Sequence, residues 1–482
     1  MQASPTDVHR RLVPAALKLL SDEHPVALLY DMDMLQTTLV SIKDAFPPTA
    51  IHAVAMKANP LVGCLELARS LGMGCEVASP AELEHALRIG FPPSKIVMDS
   101  PAKTRRDLYR ALAAGVNLNA DNTEELRIID EILSAEFGGG GRRGVGLCKS
   151  HIGVRVNPQY GEGRIAATGT IARTSKFGVP LLEMRDELLA CYGKYAWLTA
   201  VHCHVGSQGC EVDLLVKGAR SVVDFATSIN THVGRRQVTI LDIGGGMPVD
   251  YDSDVPDERA PQRVTPARYA AALRESVPEL FDGRLWTLIT EYGRYASAKS
   301  GTMLSRVEYV KCAGGRRIAT VHCGADLFLR TAYQPANWPH RISAWSADGV
   351  PLVATEGGTQ TWDVVGPLCF RGDIVAHEVP LPAHLARGCA IAVHDAGAYT
   401  LAMFSKYNSR QAPPVYGHRG GGATLFALSD GETIEQALSM WQLPGRSSAD
   451  REGAWQRAMK MALAAAAGAL LATGLQLARR PR

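Results

Sequence analysis

The sequence predicts an α/β protein that combines a (β/α)8 TIM barrel with a mostly antiparallel β domain. Over residues 26–295, short apolar runs alternate with helix-like stretches, which is typical of parallel strands connected by helices. After that point, short alternating segments separated by glycine and proline favour antiparallel strands. We therefore expect the barrel at 26–295 and the β domain at 296–443, with residues 1–25 as a candidate to pack on the β domain and a carboxyl-terminal extension at 444–482.

The individual elements follow from local signals. Residues 80–89 begin with proline and carry two glutamates in the first turns, and residues 123–133 follow the capping candidates Asp121 and Asn122, so we expect helices at both places. Short apolar or alternating runs indicate strands. Strands are predicted at 27–30, 51–55, 96–98, 153–156, 198–201 and 238–241 in the barrel, and at 305–311, 317–322, 373–379 and 390–394 in the β domain.

The composition is typical of a soluble protein that acts on small molecules. The chain has 482 residues, of which 46% are apolar and 21% charged, and this length is enough for two domains with their own cores. Its 51 basic and 48 acidic residues are interspersed, which argues against a nucleic-acid-binding surface. The ten cysteines show no disulfide-type spacing, and the first 20 residues lack a signal-peptide core, so we expect a cytoplasmic location.

The carboxyl end contains an uncharged stretch. Residues 461–475 are mostly alanine and are flanked by Arg457 and Lys460 on one side and by three arginines on the other. This stretch falls short of the roughly 20 strongly apolar residues that cross a bilayer. We expect no membrane role, while membrane contact through this tail stays open as an alternative.

Lys57 is the first candidate for chemistry, because it follows the predicted strand at 51–55, where barrel enzymes carry catalytic groups. A single lysine at such a place is more often a solvated charge. Three further polar segments at predicted strand ends change this interpretation. They are His202-Cys203-His204-Val205-Gly206-Ser207-Gln208, Leu241-Asp242-Ile243-Gly244-Gly245-Gly246-Met247 and Thr290-Glu291-Tyr292-Gly293-Arg294.

Each of these segments also has a simpler interpretation. The two histidines and the cysteine of the first could ligate a metal, but along a strand the cysteine points away from both histidines, which disfavours a three-ligand site. The three glycines of the second could form a plain tight turn as readily as a phosphate-binding loop. The glutamate and arginine of the third could form a surface ion pair.

Together the segments resemble the fold-type III pyridoxal-phosphate decarboxylases, the family of diaminopimelate and ornithine decarboxylases, and the diaminopimelate branch more closely. The resemblance extends from about residue 25 to residue 441, with the motifs in the family's order. Further matching motifs are Arg155-Val156-Asn157-Pro158, Ser175-Lys176-Phe177-Gly178, Val365-Gly366-Pro367-Leu368-Cys369, Gly372-Asp373, Asp395-Ala396-Gly397-Ala398-Tyr399 and Tyr407-Asn408-Ser409-Arg410.

The resemblance implies that Lys57 forms a Schiff base with pyridoxal 5′-phosphate, for which we expect its pKa to be lowered by burial beside Arg155 and the cofactor. It implies that Glu291 pairs with the pyridine nitrogen and keeps the ring an electron sink. Cys369 corresponds to a proton-donating cysteine from the partner subunit, which implies a homodimer with shared active sites. The other implied cofactor contacts are Glu76 near the lysine, His204 stacked on the ring, and the phosphate anchors Ser207, Gly244, Gly245, Gly246, Arg294 and Tyr399.

Departures from the family concern the substrate. In diaminopimelate decarboxylases the cysteine is followed by Glu and Ser, and that glutamate meets the distal ammonium, whereas this chain has Phe370 and Arg371. The family's carboxylate-binding Arg-Pro-x-Leu-Tyr element keeps its arginine, Arg330, but the tyrosine, Tyr333, is moved by one position. We expect an amino-acid decarboxylase in a family that acts on basic amino acids, with an altered substrate. The implied substrate-binding residues are Arg294, Arg330, Tyr333, Phe370, Arg371 and Tyr399.

Two other functions share this fold. Alanine racemases have the same barrel and β domain, but a racemase avoids a strong electron sink, so the Glu291 and Cys369 segments argue against one. A catalytically inactive relative that regulates a partner protein should have lost the lysine or the phosphate anchors. All of these residues are present here.

Overall fold

The structure is a computed structural model that describes residues 7–137, 148–253, 264–353, 358–422 and 424–441. Met1–Gly431 form one compact unit and Glu432–Arg482 a second. In the second unit the described residues form a helix, capped by Thr433, and a following 3-10 turn. The predicted extension at 444–482 lies outside the described residues.

The strands of the first unit form two sheets, in agreement with the predicted fold class. Most are short and rich in Val, Ile and Ala, and the central ones are buried on both faces, as expected for a parallel sheet covered by helices. In chain order they are β1 (Val26–Asp31), β2 (Ile51–Ala55), β3 (Gly74–Val77), β4 (Ile96–Asp99), β5 (Asn117–Ala120), β6 (Ile152–Asn157), β7 (Val179–Pro180), β8 (Leu198–His202), β9 (Ile240–Asp242), β10 (Thr287–Thr290), β11 (Gly301–Ala313), β12 (Arg316–Val321), β13 (Ile342–Trp345), β14 (Thr359–Val365), β15 (Ile374–Pro382), β16 (Ala390–Val393), β17 (Val415–Arg419) and β18 (Thr424–Ser429).

Helices connect the barrel strands and begin at clear capping residues. Ser79 accepts a hydrogen bond from the Glu82 N–H, and Thr104 forms a capping box with Asp107. The helices are α1 (Asp7–Leu17), α2 (Met32–Ala45), α3 (Val62–Ser70), α4 (Pro80–Ile89), α5 (Arg105–Ala114), α6 (Thr123–Glu136), α7 (Leu181–Lys194), α8 (Val212–His232), α9 (Pro266–Ser276), α10 (Arg294–Ser297), α11 (Leu329–Tyr333) and, in the second unit, α12 (Ile434–Leu438).

The parallel sheet closes into the predicted barrel. Its strands follow the order β5-β4-β3-β2-β10-β9-β8-β6, and pairing of β5 with β6 closes the ring. The barrel interior is packed, because small and branched side chains from five strands meet in one cluster. That cluster contains Ala53, Val97, Ala200, Ile240 and Ile289.

The second sheet is mostly antiparallel, and it corrects one expectation about the first strand. β1, which we expected in the barrel, pairs instead with β11 and β17 of the second sheet. Its apolar sequence fits either sheet, and only the pairing decides between them. Helix α1 also packs here, since Leu12, Val13 and Ala16 share a cluster with Trp345.

Among the described residues, no helix is both long and apolar enough to cross a membrane. The uncharged stretch at 461–475 lies outside the described residues.

Candidate active site

The candidate site lies where the barrel strands end at their carboxyl termini. Lys57 occupies the 3-10 turn Met56–Ala58, directly after β2. Its Nζ atom lies 2.5 Å from Oε1 of Glu76, which is fully buried at the end of the neighbouring strand β3. The resemblance implied an acid near the lysine, and the contact shows that the Glu76 side chain reaches the Lys57 amine.

The pKa of Lys57 differs from our expectation. Burial lowers it, but the acidic groups Glu76, Tyr399 and Glu291 outweigh burial and raise the pKa above its ordinary value. We expected burial beside Arg155 and the cofactor to lower this pKa, whereas in the protein chain alone the acidic groups raise it. The sequence did not show that several acidic groups converge on the same amine.

The three-glycine turn is more specialised than a plain turn. Gly244 and Gly246 have φ values of +63° and +105°, a region that favours glycine. A Cβ atom on Gly245 would lie 2.2 Å from the carbonyl oxygen of Glu291, so this position also requires glycine. The Gly245 N–H donates a hydrogen bond of 3.0 Å to Nδ1 of His204. Since burial and the nearby Arg155 lower the pKa of His204, its imidazole is neutral and can accept this hydrogen bond.

Arg294 links the glycine-rich side of the site to the second sheet. Its Nε donates to Ser207 Oγ at 3.3 Å and its Nη1 donates to the Tyr251 hydroxyl at 2.9 Å. The guanidinium lies 4.4 Å from the ring centre of Trp338 and 4.5 Å from that of Tyr399. Among the described residues, Nη2 of Arg294 is buried without a hydrogen-bond partner. A cation held in this way is ready to bind an anion.

Tyr399 is fixed by its backbone. Its φ of +56° is unusual for a residue with a side chain, and its N–H donates a hydrogen bond of 2.9 Å to the carbonyl of Ala58, next to Lys57. On the other side, the Arg330 guanidinium lies 4.7 Å from the Tyr399 ring centre. The site therefore joins residues from the barrel and from the second sheet.

Glu291 belongs to a buried charged cluster rather than to a surface ion pair. It is 3% exposed, and its Oε1 has no hydrogen-bond partner among the described residues. Arg155 and Asp99 form an ion pair of 2.7 Å, and His202 lies between Asp99 and Asp242. Burial and the charge of Asp242 raise the pKa of Glu291, while His202 opposes this rise.

Cys369 and its neighbours form a second group on the surface. Phe370 stacks on Tyr333 with ring centres 6.1 Å apart and meets Tyr407 edge to face. The Cys369 N–H donates to Asn408 Oδ1 at 2.9 Å. Cys369 and Arg371, which flank Phe370 in the chain, are both exposed. In a single chain, the Cys369 group is thus accessible, and its polar contacts are with Tyr407 and Asn408.

Sequence reasoning missed several residues of the site. Asp99 and Asp242 end the barrel strands β4 and β9, so the rule that strand-end polar residues line barrel sites could have identified them. His202 was considered only as a metal ligand. Tyr251 and Trp338 follow no recognisable pattern, because they reach Arg294 from segments outside the predicted strands.

The comparisons with known proteins agree with this geometry. Residues 33–298 match the family model of the pyridoxal-binding domain of pyridoxal-dependent decarboxylases. A diaminopimelate decarboxylase from Pseudomonas fluorescens is 32% identical over 74% of this chain and 78% of its own length, and one from Pseudomonas aeruginosa is 32% identical over 79% and 82%.

Solved structures extend the likeness to three dimensions. The diaminopimelate decarboxylase of Helicobacter pylori complexed with L-lysine superposes with a TM-score of 0.73 at 26% identity, covering 86% of this chain and 96% of that one. A lysine/ornithine decarboxylase of Vibrio vulnificus, with a TM-score of 0.68 at 20% identity and coverage of 86% and 99%, shares the fold.

The expected family, fold, enzyme class and cofactor are therefore confirmed. The chain belongs to the fold-type III pyridoxal-phosphate decarboxylases, in the diaminopimelate decarboxylase branch, and is a pyridoxal-phosphate-dependent amino-acid decarboxylase.

Proposed function

We propose that this decarboxylase holds pyridoxal phosphate on Lys57 and acts on an amino acid whose distal end is a carboxylate or an uncharged group. The proposed substrate preference rests on Phe370, which occupies the position where diaminopimelate decarboxylases have the glutamate that binds the distal ammonium. An aromatic ring does not neutralise a buried ammonium as a carboxylate does.

The residues present fit the cofactor. The buried Nη2 of Arg294 suits a phosphate group, with Ser207 and Tyr399 beside it. The unpartnered Oε1 of Glu291 suits a protonated ring nitrogen. When bound, pyridoxal phosphate accepts the electron pair released as carbon dioxide leaves.

Residues of this chain would hold or supply the protons that this step requires. Glu291 would hold the proton at the pyridine nitrogen, and neutral His204 would pack on the ring without adding charge to it. Glu76, which contacts the Lys57 amine, would hold its ammonium form when the lysine is free of the cofactor. The Cys369 thiol would supply the proton that replaces the carboxylate.

Nearby acids do not replace the missing glutamate. Asp373 is buried and accepts hydrogen bonds from the N–H groups of Ala325 and Leu368 at 2.5 and 2.6 Å. Asp326 is buried and accepts from Arg410 Nε at 3.2 Å. Both carboxylates are engaged by their own surroundings, which supports the loss of ammonium recognition. The exposed Arg371 and the retained Arg330 instead favour a negative or neutral distal group.

We extend the proposal to a homodimer with shared active sites. Cys369 is exposed, and the aromatic group beside it includes Tyr333 at 68% and Tyr407 at 48% exposure. An exposed aromatic cluster around a catalytic thiol is better explained by contact with a second subunit than by contact with water.

All ten cysteines are free thiols, which supports a reducing, cytoplasmic location.

A substrate panel tests the specificity. Carbon dioxide release is measured with meso-diaminopimelate, lysine, ornithine and an amino acid that bears only a distal carboxylate, for the native protein and for Phe370→Glu/Arg371→Ser. Leaving a buried ammonium unpaired costs about 3–5 kcal/mol. We therefore expect the double variant to raise kcat/KM for meso-diaminopimelate by at least about tenfold.

A matched control adds a carboxylate elsewhere. Leu182 lies on α7 and is 68% exposed, so Leu182→Glu should leave the substrate preference unchanged. If the native protein turns over meso-diaminopimelate as well as the double variant does, the proposed specificity is wrong. The substrate is then diaminopimelate, as in the names of the relatives.

A further inference from the structure

His202 lies at the centre of the buried cluster next to Glu291. Its Nδ1 is 3.3 Å from Asp242 Oδ1, its Nε2 is 3.6 Å from Asp99 Oδ2, and its side chain is fully buried. Oxygen atoms of two carboxylates thus face both ring nitrogens. Among the described residues neither nitrogen makes a hydrogen bond of good geometry, so the two contacts are charge contacts, and they favour a ring that carries a proton on each nitrogen.

The charges of the cluster lead to the same conclusion. Asp99, Asp242 and Glu291 bring three carboxyl groups together, and Arg155 neutralises one of them at 2.7 Å. Burial lowers the pKa of His202, but Asp242 and Glu291 outweigh burial and raise it well above its ordinary value. The direction of this pKa shift agrees with the positions of the two carboxylates, and both favour a charged imidazole.

A metal ion is the alternative occupant of this cluster. Asp99, His202 and Glu291 each bring one donor atom within 4.8 Å of the others. Metal ligation requires a neutral imidazole with a free lone pair, whereas a carboxylate oxygen lies within 3.6 Å of each nitrogen here and favours the protonated ring. The guanidinium of Arg155 already occupies Asp99. The arrangement therefore favours an imidazolium over a metal ligand.

We infer that His202 is a positioning residue: as an imidazolium held between Asp99 and Asp242, it supplies the positive charge that lets Glu291 ionise at the pyridine nitrogen. The inference rests on the proposed function, because it requires Glu291 to contact the cofactor. Without the charge of His202, repulsion from Asp242 would keep Glu291 protonated.

The other groups that face this cluster do not replace His202. Glu76 from β3 adds negative charge near Glu291, and Lys57, which also attracts Glu291, is itself paired with Glu76 at 2.5 Å. Lys103 attracts Asp99 but is itself paired with Glu125 at 3.0 Å. Removing the imidazolium would leave Arg155 as the cation that directly contacts the cluster's carboxylates, and it contacts Asp99 rather than Glu291.

The protonation of His202 is measurable without the cofactor. Histidine labelled with 13C and 15N is incorporated, and the His202 resonances are assigned by their loss in His202→Gln. We expect an imidazolium signal at pH 8, where an ordinary histidine with a pKa of about 6.5 is neutral. A neutral His202 in the cofactor-free protein at pH 8 would overturn the inference, as would its ligation by added zinc.

Kinetics of the holoenzyme give a second test. His202→Gln should lower kcat at neutral pH by about tenfold or more, because one pKa unit at Glu291 changes its ionised fraction up to tenfold. Adding Asp242→Asn removes one repelling charge, so the double variant should recover part of this loss. A double variant that is no better or is worse than His202→Gln indicates a structural role and contradicts the inference.

The controls separate this inference from the proposed function. His232 is exposed at the end of α8, and His232→Gln should leave kcat and its pH profile unchanged. His202→Gln should still hold a borohydride-reducible cofactor, since Lys57 is intact. Loss of reducible cofactor in the native protein would defeat the proposed function, whereas unchanged kcat in a loaded His202→Gln protein defeats this inference alone.

Discussion

At the scale of single residues, the contact between Lys57 and Glu76 bears directly on our proposal that Lys57 holds the cofactor. Their polar atoms lie 2.5 Å apart. The acidic groups around Lys57, Glu76 above all, outweigh its burial and raise its pKa. Lys57 therefore holds its proton tightly, although an amine must be neutral to attack the cofactor's aldehyde.

This contact predicts how cofactor uptake depends on pH. Because the pKa of Lys57 is raised, the neutral amine becomes more abundant as pH rises, so uptake of pyridoxal phosphate by the cofactor-free protein should accelerate with pH. Glu76→Gln removes the nearest negative charge, lowers the pKa of Lys57 and should shift this profile to lower pH by about one unit or more. Stopped-flow absorbance measures the rate.

Glu84→Gln is the control for this prediction, since Glu84 pairs with Arg88 on the exposed face of α4. It should leave the uptake profile in place. An unshifted profile in Glu76→Gln would show that Glu76 does not control the proton on Lys57.

At the scale of elements, local patterns predicted most of the structure. The strand Ile51–Ala55 and the helix Pro80–Ile89 have the predicted bounds, because apolar runs and capping residues act within a few residues of each other. The sheet of β1 was not predicted, since an apolar run does not specify its partner strand.

The site shows the same difference between residues that local sequence signals predict and contacts that form only on folding. Motifs at strand ends identified Lys57, His204 and Glu291, because barrel geometry gathers the ends of separate strands. The raised pKa of Lys57 was not predictable, because it depends on charges that only folding brings together. The contact of Trp338 with Arg294 has the same origin.

At the scale of the whole molecule, the exposed Cys369 group predicts that active sites are shared between subunits. Lys57→Ala and Cys369→Ala should each be inactive, but one site of a mixed dimer would contain both native residues. Mixing the two variants should therefore restore up to about one quarter of the wild-type sites in a random dimer population.

Activity of the mixture, compared with each variant alone, is the measurement. Mass spectrometry of the intact dimers verifies that hybrids have formed. Absence of activity in verified hybrids would show that each chain uses its own thiol or none.

The attachment of the cofactor to Lys57 is the central claim, and borohydride reduction followed by peptide mapping tests it most directly. The native protein should carry one pyridoxyl group on the peptide that contains Lys57, and Lys217→Ala, which changes an exposed lysine of α8, should do the same. Lys57→Ala should carry none. A reducible adduct on the Lys57→Ala protein, or on another lysine of the native protein, would contradict the account.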